Sequence, residues 1–230
     1  MKEIVRQLCP PIFWNVLRHL KFKISRSNEK KRLSGSQDLD VYWDPEMAEI
    51  LEQWGEGNAW SEIQLIMADR NGKALDIACG TGNVMAKLAS YPGLETYGCD
   101  ISDMLIGKAL ERGISRERLA VTDATAMSYP TDTFDWGYSI GSLEHFTEEG
   151  IQKFLSECHR VVRGGSFHMV PVSRSGRDEG WIKTFQSYHN NSTTWWEERC
   201  RDIYARVHVL DSSWSDQRSV GKWLICEKAN

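Results

Sequence analysis

The chain has 230 residues, 41% of them hydrophobic, which is enough for one domain with a sizeable core. Its net charge is -4, but residues 1–35 hold nine Lys and Arg against two acids, which leaves about -11 on the remainder. An acidic body of this kind argues against a general nucleic-acid-binding protein. The six cysteines are scattered without a C-x-x-C pair, which argues against a metal site and predicts reduced thiols in a cytoplasmic protein.

Residues 1–40 are predicted to form a basic amphipathic segment and linker ahead of a domain at 41–230. Within residues 1–24, apolar and basic residues interleave, and Pro10-Pro11 divides two short helical pieces. Two interpretations stay open. The segment lies on the anionic inner face of a membrane, or it packs on the domain or on a partner subunit. No apolar run reaches the roughly 18 residues that span a bilayer, and no signal peptide is recognised.

Two helices are predicted before the first strand. Asp44-Pro45 is an N-cap with proline in the first turn and begins a helix to about Gln53, and Asn58 caps a second helix to about Met67. Strand and helix patterns then alternate, with strands at 73–78, 95–99, 118–123, 134–140 and 165–171, and helices at 83–90, 102–112 and 147–162. Apolar strands between amphipathic helices predict a three-layer α/β fold around a mostly parallel sheet.

The C-terminal part departs from this alternation. Two strand-like runs, at about 203–210 and 219–228, are separated by residues 212–216 and predict a hairpin with an antiparallel last strand. Thr194-x-x-Glu197 is a capping-box pattern that begins a short helix. Residues 173–202 follow the fifth strand and are predicted to form a lid over a bound substrate. Its candidate lining residues are Trp181, Phe185, Tyr188 and His189.

A glycine-rich turn follows the first strand in LDIACGTGN, with Asp76 at the strand end and then Gly80 and Gly82. Such a turn places backbone N–H groups around a ligand at the carboxyl end of a strand. Right-handed crossovers bring every parallel strand's carboxyl end to the same rim. Asp100 closes the second strand there, and its carboxylate could accept both hydroxyls of a ribose. The alternative is an N-cap for the following helix, a role that Ser102 could also fill.

Two further motifs lie at this rim. Asp123-Ala124 closes the third strand, where a carboxylate beside a backbone N–H could read the amino edge of adenine, or be an ordinary loop acid. The fourth strand continues into a small-residue turn that ends at Glu144 and His145. The unperturbed pKa of histidine, near 6.5, suits a general base. The alternative for both residues is a structural element at the start of a helix.

The order of these motifs resembles the class I S-adenosylmethionine-dependent methyltransferases, in particular the type 11-like small-molecule enzymes. Residues 73–172 contain LDIACGTGN, YGCDIS, TDATAMSYP, FDWGYSIGSLEHF and RVVRGGSFHMV in that order. A nicotinamide dinucleotide fold fits less well, since its fingerprint wants a third glycine where this chain has Met85. The resemblance implies a Rossmann-like fold with a seven-stranded sheet and S-adenosylmethionine as cofactor.

The resemblance also implies roles for individual residues. Gly80 and Gly82 would let the backbone approach the methionine part of the cofactor, and Asp76 would hold its ammonium group. Asp100 would bind the ribose, with Met104 near the adenine. The remaining implied cofactor contacts are Ala78, Ile101, Asp123, Ala124 and Ser139.

The expected activity is O-methylation of a small molecule or glycan intermediate, with His145 and Glu144 as the candidate catalytic pair. The glycan expectation comes from Leu8-Cys9-Pro10-Pro11, which resembles the beginnings of some methyltransferases of bacterial surface-polysaccharide pathways. One alternative is a cofactor-binding regulator without turnover. Another is a lipid-modifying enzyme, because Glu144-His145-Phe146 resembles a stretch of the cyclopropane-fatty-acid synthases. The sequence leaves the oligomeric state open.

Overall fold

The computed structural model describes residues 37–229. Most of the predicted N-terminal segment, including all of residues 1–24 and Cys9, therefore lies outside the described residues. In the described part, the predicted alternation of strands and helices is confirmed, with small shifts at the boundaries.

A seven-stranded sheet forms the centre of the domain, in the strand order β3-β2-β1-β4-β5-β9-β8. Its strands are β1 Gly72–Ile77, β2 Leu94–Asp100, β3 Leu119–Val121, β4 Phe134–Ile140, β5 Val162–Ser173, β8 Arg206–Ser215 and β9 Ser219–Glu227. Strands β1 to β5 are parallel, and β9 runs antiparallel between β5 and β8. The predicted antiparallel last strand is thus confirmed. A separate two-stranded hairpin pairs β6 Trp181–Ile182 with β7 Tyr188–His189.

Helices cover both faces of the sheet. They are α1 Pro45–Leu51, α2 Ala59–Ile66, α3 Asn83–Leu88, α4 Asp103–Glu111, α5 Glu148–Val161 and α6 Thr193–Arg201, with short 3₁₀ turns at Leu39–Trp43, Arg116–Arg118 and Leu143–His145. Ser102 caps α4 by accepting from the Leu105 N–H, so this cap does not need Asp100. The predicted cap at Thr194 is wrong, because the Ser192 hydroxyl accepts from Trp195 N–H and α6 begins at Thr193.

Helix α5 shows how the sequence builds the core. It buries Ile151, Phe154, Leu155, Cys158 and Val161, a spacing that places them on one face against the sheet. Each fully buried apolar side chain stabilises the fold by roughly 1.5–3 kcal/mol. The opposite sheet face packs against α2 and α3 through a second cluster that includes Trp60, Ile63 and Leu88. This two-sided packing fixes the rim where the parallel strands end.

The C-terminal hairpin turns later than the sequence predicts. Residues 212–215 continue β8, and the chain reverses where the Asp216 carboxylate accepts the N–H groups of Arg218 and Ser219. The polar sequence of residues 212–216 predicts a loop because this part of β8 is irregular. Its pairing with β9 shifts between Asp211 and Ser215. At this irregularity, Glu62 of α2 accepts hydrogen bonds from the Ser212 and Ser213 hydroxyls.

The five described cysteines, Cys79, Cys99, Cys158, Cys200 and Cys226, are buried free thiols. Between residues 37 and 229, no helix has the length and apolar character needed to cross a membrane.

Candidate active site

A cavity of about 580 Å³ opens at the carboxyl ends of strands β1 to β5. Ligands of open α/β sheets bind at this rim, and the volume is in the range of small-molecule sites. Three parts of the chain enclose it: the loops after the strands, a flap formed by residues 37–54, and the β6–β7 hairpin with its turn, residues 181–189. The predicted residues that line it are Asp76, Ala78, Gly80, Asp100, Ile101, Asp123, Ala124, Glu144 and His145.

The glycine loop after β1 is conformationally specialised. Gly80 has φ +53°, and a Cβ built there would meet only Leu51 Cδ1, at 3.4 Å. Ala78 has φ +61°, a left-handed conformation that costs an L-residue roughly 1–2 kcal/mol. Asp100 Oδ2 accepts the Gly80 N–H at 2.9 Å and so ties the loop to the end of β2. Backbone strain held at a cavity wall is typical of a ligand-binding site.

Gly82 does not belong to the cavity wall, which corrects the expectation that its backbone approaches the cofactor. Its φ is +75°, and a Cβ there would lie 2.4 Å from Ile114 Cδ1 and 3.1 Å from Ala109 Cβ. Packing of α3 beneath α4 and its following loop, rather than a ligand, therefore requires glycine at this position.

Two carboxylates, Asp76 and Asp100, are buried at the centre of the site, with exposures of 4% and 5%. Burial raises the pKa of Asp76 to about 8, against the opposing effect of the Tyr138 hydroxyl. Burial also raises the pKa of Asp100 to about 6, although the N–H groups of Ser102 and Gly80 favour its ionised form. Among the described residues, neither acid forms a salt bridge. The pair therefore provides a place for a cationic, hydroxyl-bearing ligand.

The end of β3 presents Asp123 and Ala124 to the cavity. Asp123 Oδ1 accepts from the Thr125 N–H at 2.8 Å and from the Thr125 hydroxyl at 2.7 Å. Both bonds use the same oxygen, so Oδ2 stays available to a ligand donor. Ala124 is buried beside it.

The structure places Met104 and Ser139 away from the cavity, contrary to expectation. Leu105, not Met104, contributes from the start of α4. The Ser139 hydroxyl is fully buried and lies 2.9 Å from His168 Nδ1. Alternation along β4 directs Ser139 into the core, and the residues that reach the cavity are Ile140 and Gly141. His168 is a core residue, and burial lowers its pKa to about 3.

Glu144 and His145 lie together in the 3₁₀ turn after β4. His145 Nδ1 lies 2.8 Å from the carbonyl oxygen of Ser187, which can only accept, so Nδ1 carries the proton and Nε2 presents a lone pair in the neutral ring. Burial lowers the pKa of His145 to about 4, which keeps the ring neutral. Glu144 Oε1 is 3.6 Å from His145 Nε2, and burial raises the pKa of Glu144 to about 8.

The flap is fastened on both sides of the cavity. The Tyr42 hydroxyl accepts from Gln186 Nε2 at 2.9 Å, and its main-chain carbonyl accepts from the Ser102 hydroxyl at 2.7 Å. Burial raises the pKa of Tyr42 well above its usual value. Tyr42 therefore joins the flap to both the loop after β2 and the hairpin.

An ion pair that the sequence did not predict holds the other end of the flap. The Arg112 guanidinium donates to both oxygens of Glu52, at 2.7 and 2.6 Å, and its Nε donates to the Thr81 carbonyl at 3.0 Å. The partners come from the flap, the end of α4 and the glycine loop. No local sequence signal could have indicated this pairing, since Glu52 and Arg112 are 60 residues apart.

The hairpin of residues 181–189 contributes two of its four predicted aromatics to the cavity, Phe185 and Tyr188. Trp181 and His189 point elsewhere. Their rings are 4.7 Å apart, and His189 is 5.0 Å from Trp195, so they pack the hairpin onto α6. Trp54 of the flap and Trp214 of β8, which the sequence did not single out, line the cavity instead.

The strand order and the acidic loops at the carboxyl ends of β1, β2 and β3 define a Rossmann-like methyltransferase fold. Residues 74–165 match the family model described as a methyltransferase domain. A crystal structure of PH0226 protein from Pyrococcus horikoshii superposes with a TM-score of 0.59 at 22% identity, covering 81% of this chain and 93% of that one. Residues 74–165 therefore form a methyltransferase domain, and the matches support a class I S-adenosylmethionine-dependent enzyme.

Two curated relatives extend the comparison. Phosphoethanolamine N-methyltransferase of Plasmodium falciparum is 25% identical over 56% of this chain and 48% of its own. Ubiquinone/menaquinone biosynthesis C-methyltransferase UbiE of Burkholderia mallei is 27% identical over 66% of this chain and 65% of its own. The chain thus matches less than two thirds of the length of either relative.

The residues present fit S-adenosylmethionine. Its ammonium and sulfonium groups are cationic, and the buried pair Asp76 and Asp100 lacks a cationic partner among residues 37–229. Each oxygen of Asp100 already accepts one backbone N–H and retains a lone pair for a ribose hydroxyl. The open space above Gly80 would be narrowed by any side chain.

Proposed function

We propose that the protein transfers a methyl group from S-adenosylmethionine to a hydroxyl group of a small molecule or glycan intermediate. The observation that carries this proposal is the fixed tautomer of His145. The Ser187 carbonyl holds the proton on Nδ1, so the Nε2 lone pair is available as a base within the cavity. A hydroxyl acceptor needs such a base, because it must lose its proton as it is methylated.

Cofactor binding is assigned to the loops after β1, β2 and β3. Asp76 holds the ammonium group, Ala78 and Gly80 line the methionine part, and Asp100 accepts the ribose hydroxyls. Ile101, Asp123 and Ala124 surround the adenine. When bound, S-adenosylmethionine supplies an electrophilic methyl group on a sulfonium. The charge of this ligand suits a cavity whose buried acids lack cationic partners among the described residues.

The residues after β4 carry the proton transfer. As the acceptor oxygen forms its bond to the methyl carbon and the carbon–sulfur bond breaks, His145 Nε2 takes the hydroxyl proton. The resulting imidazolium lies beside Glu144, whose Oε1 is 3.6 Å from Nε2. Because burial raises the pKa of Glu144 to about 8, the fraction of Glu144 that is ionised and able to stabilise this cation increases as the pH rises toward 8.

The reaction can be assayed by the release of S-adenosylhomocysteine from a panel of phenols, sugars and lipid-linked glycans. His145→Asn is the informative variant, because the Asn amide can still donate to the Ser187 carbonyl but has no counterpart of Nε2. We expect kcat to fall by about 10²–10⁴-fold with cofactor affinity unchanged. His159→Asn is the matched control, since His159 is on α5 and packs against Tyr204. Unchanged turnover in His145→Asn would remove the base assignment.

A fold of this family does not by itself prove turnover. The alternative of a cofactor-binding regulator predicts calorimetric binding of S-adenosylmethionine without S-adenosylhomocysteine release from any acceptor. The lipid-modifying alternative predicts release that depends on unsaturated phospholipid. The phosphoethanolamine and quinone substrates named for the two relatives support a small-molecule acceptor.

We also propose that residues 1–24 bring the protein to an anionic membrane surface. Five of these residues are Lys or Arg among apolar neighbours. Full-length protein should sediment with anionic vesicles but not with neutral ones. Lys21→Glu with Lys23→Glu should weaken this binding by about thirtyfold or more, at about 1 kcal/mol for each basic residue lost. Equal sedimentation of variant and wild type would contradict the proposal.

A further inference from the structure

The part of the cavity beyond β4 differs in character from the cofactor side. We call it the acceptor chamber and define it by Trp54, Gly141, Glu144, His145, Phe185, Tyr188 and Trp214. The rings of Trp54 and Trp214 are 5.5 Å apart at an interplanar angle of 36°. A Cβ at Gly141 would lie 2.7 Å from the Trp54 ring, so the missing side chain lets this ring close the wall. Aromatic walls of this kind favour a flat acceptor.

The acidic and basic side chains around the cavity are strongly unbalanced in number. Among the described lining residues, the acids are Asp76, Asp100, Asp123, Glu144, Glu149 and Asp216, and Lys153 is the one lysine or arginine. Lys153 is already paired with Glu149, at 2.7 Å, near the surface. His145 is kept neutral by burial. Phosphate and carboxylate groups are normally bound by Arg, Lys or clustered N–H groups. The described chamber offers no cation to such a group.

Glu144 supplies the specific recognition element. The residue is 3% exposed, and its Oε2 has no hydrogen-bond partner among the described residues. A buried carboxyl oxygen without a partner is costly to the fold, whereas a ligand donor that reaches it recovers that cost on binding. Glu144 lines the acceptor chamber. Glu144 is therefore a buried acid that borders the place where an acceptor would be held.

We infer that the acceptor chamber selects flat molecules that carry no negative charge and donate a hydrogen bond to Glu144, and that it rejects phosphorylated or carboxylated ones. This inference rests on the proposed function, because it assumes that the acceptor occupies the space beyond β4. It narrows the acceptor to neutral or cationic aromatic compounds bearing a hydroxyl or amine. A glycan intermediate fits only if its phosphates remain outside the cavity.

The test uses full-length protein loaded with S-adenosylhomocysteine and three probes that share a phenol body. Tyramine is cationic, para-ethylphenol is neutral, and para-hydroxyphenylpropionate is anionic. Binding is followed by tryptophan fluorescence, because Trp54 and Trp214 line the chamber. The measurements are made at about pH 8.5, where most of the Glu144 carboxyl is ionised because its pKa is about 8. We expect the cationic and neutral probes to bind at least about tenfold more tightly than the anionic one, since an ionised buried acid repels the carboxylate.

Glu144→Gln removes the charge and keeps an acceptor oxygen. It should bring the cationic and anionic probes to within about threefold of each other while leaving the S-adenosylhomocysteine affinity unchanged. Glu148→Gln is the matched control, because Glu148 pairs with Arg199 on the surface and does not line the cavity, and it should preserve the wild-type order.

Equal or tighter binding of the anionic probe, an unchanged order in Glu144→Gln, or no binding of any probe would each overturn the inference. The expected order of binding without S-adenosylhomocysteine release from any acceptor would instead contradict methyl transfer and leave the inference standing.

Discussion

The proposed role of Asp76 predicts that cofactor binding depends on pH. Its folded-state pKa is raised by burial to about 8, and it must be ionised to hold an ammonium group. About 1% of the carboxyl is ionised at pH 6 and about half at pH 8, so the affinity for S-adenosylmethionine should rise about 50-fold across this interval. A proton should leave the protein as the cofactor binds.

Titration calorimetry at pH 6, 7 and 8, in two buffers of different ionisation enthalpy, measures both the cofactor affinity and the number of protons released on binding. The Asp76→Asn variant should bind the cofactor weakly and lose most of the pH dependence. A smaller pH dependence should remain below pH 7, because the pKa of Asp100 is about 6. Glu144→Gln should keep the wild-type profile, because Glu144 lies beyond the cofactor loops. An affinity that is constant from pH 6 to 8, or the same slope in Asp76→Asn, would refute the reasoning.

The raised pKa of Asp76 also predicts that the unliganded domain loses stability as pH rises from about 4 to 8, because the folded state retains the Asp76 proton that the unfolded chain releases. Urea unfolding at both pH values measures this change in the free energy of unfolding, and the Asp76→Asn variant should show a smaller loss. Gly82→Ala should lower the free energy of unfolding by about 1–3 kcal/mol through overlap with Ile114, without changing cofactor affinity. Gly80→Ala should instead weaken cofactor binding by about tenfold or more. Calorimetry and urea unfolding would contradict both assignments if Gly82→Ala weakened cofactor binding and Gly80→Ala lowered only the free energy of unfolding. Glu52→Gln should speed cofactor dissociation in stopped-flow measurements by up to about fivefold, because the partly exposed ion pair of Glu52 and Arg112 contributes at most about 1 kcal/mol. An unchanged rate would mean that this ion pair does not hold the flap.

Much of the cofactor side of the site was predictable from sequence. Asp76, Asp100 and Asp123 each come directly after an apolar run, and parallel topology brings the ends of such strands to one rim. Seven of the ten predicted cofactor residues line the cavity as a result. The positions of these residues depend only on where each strand ends, and the hydrophobic pattern of the sequence indicates the strand ends directly.

The three predicted contacts that lie elsewhere have two causes. For Met104 and Ser139, the chain position near the rim was right, but the direction of the side chain was not. Gly82 is required by close packing against Ile114 and Ala109 instead of by the cavity. Ser139 belongs to the buried face of β4, where it meets His168 from the neighbouring strand. A one-residue difference along a strand reverses the face on which a side chain lies. Sequence motifs do not encode that difference when both faces of the sheet are buried.

The sequence by itself determined the order of strands and helices, the acids at the strand ends and the glycine turn, because these follow from local periodicity and backbone conformation. Only the tertiary structure decided how the flap closes through Glu52 and Arg112, which tryptophans form the acceptor chamber, and that Glu144 is left without a donor. Those features depend on contacts between segments far apart in the chain. Their energies arise from burial and pairing, which exist only once the sheet has brought the segments together.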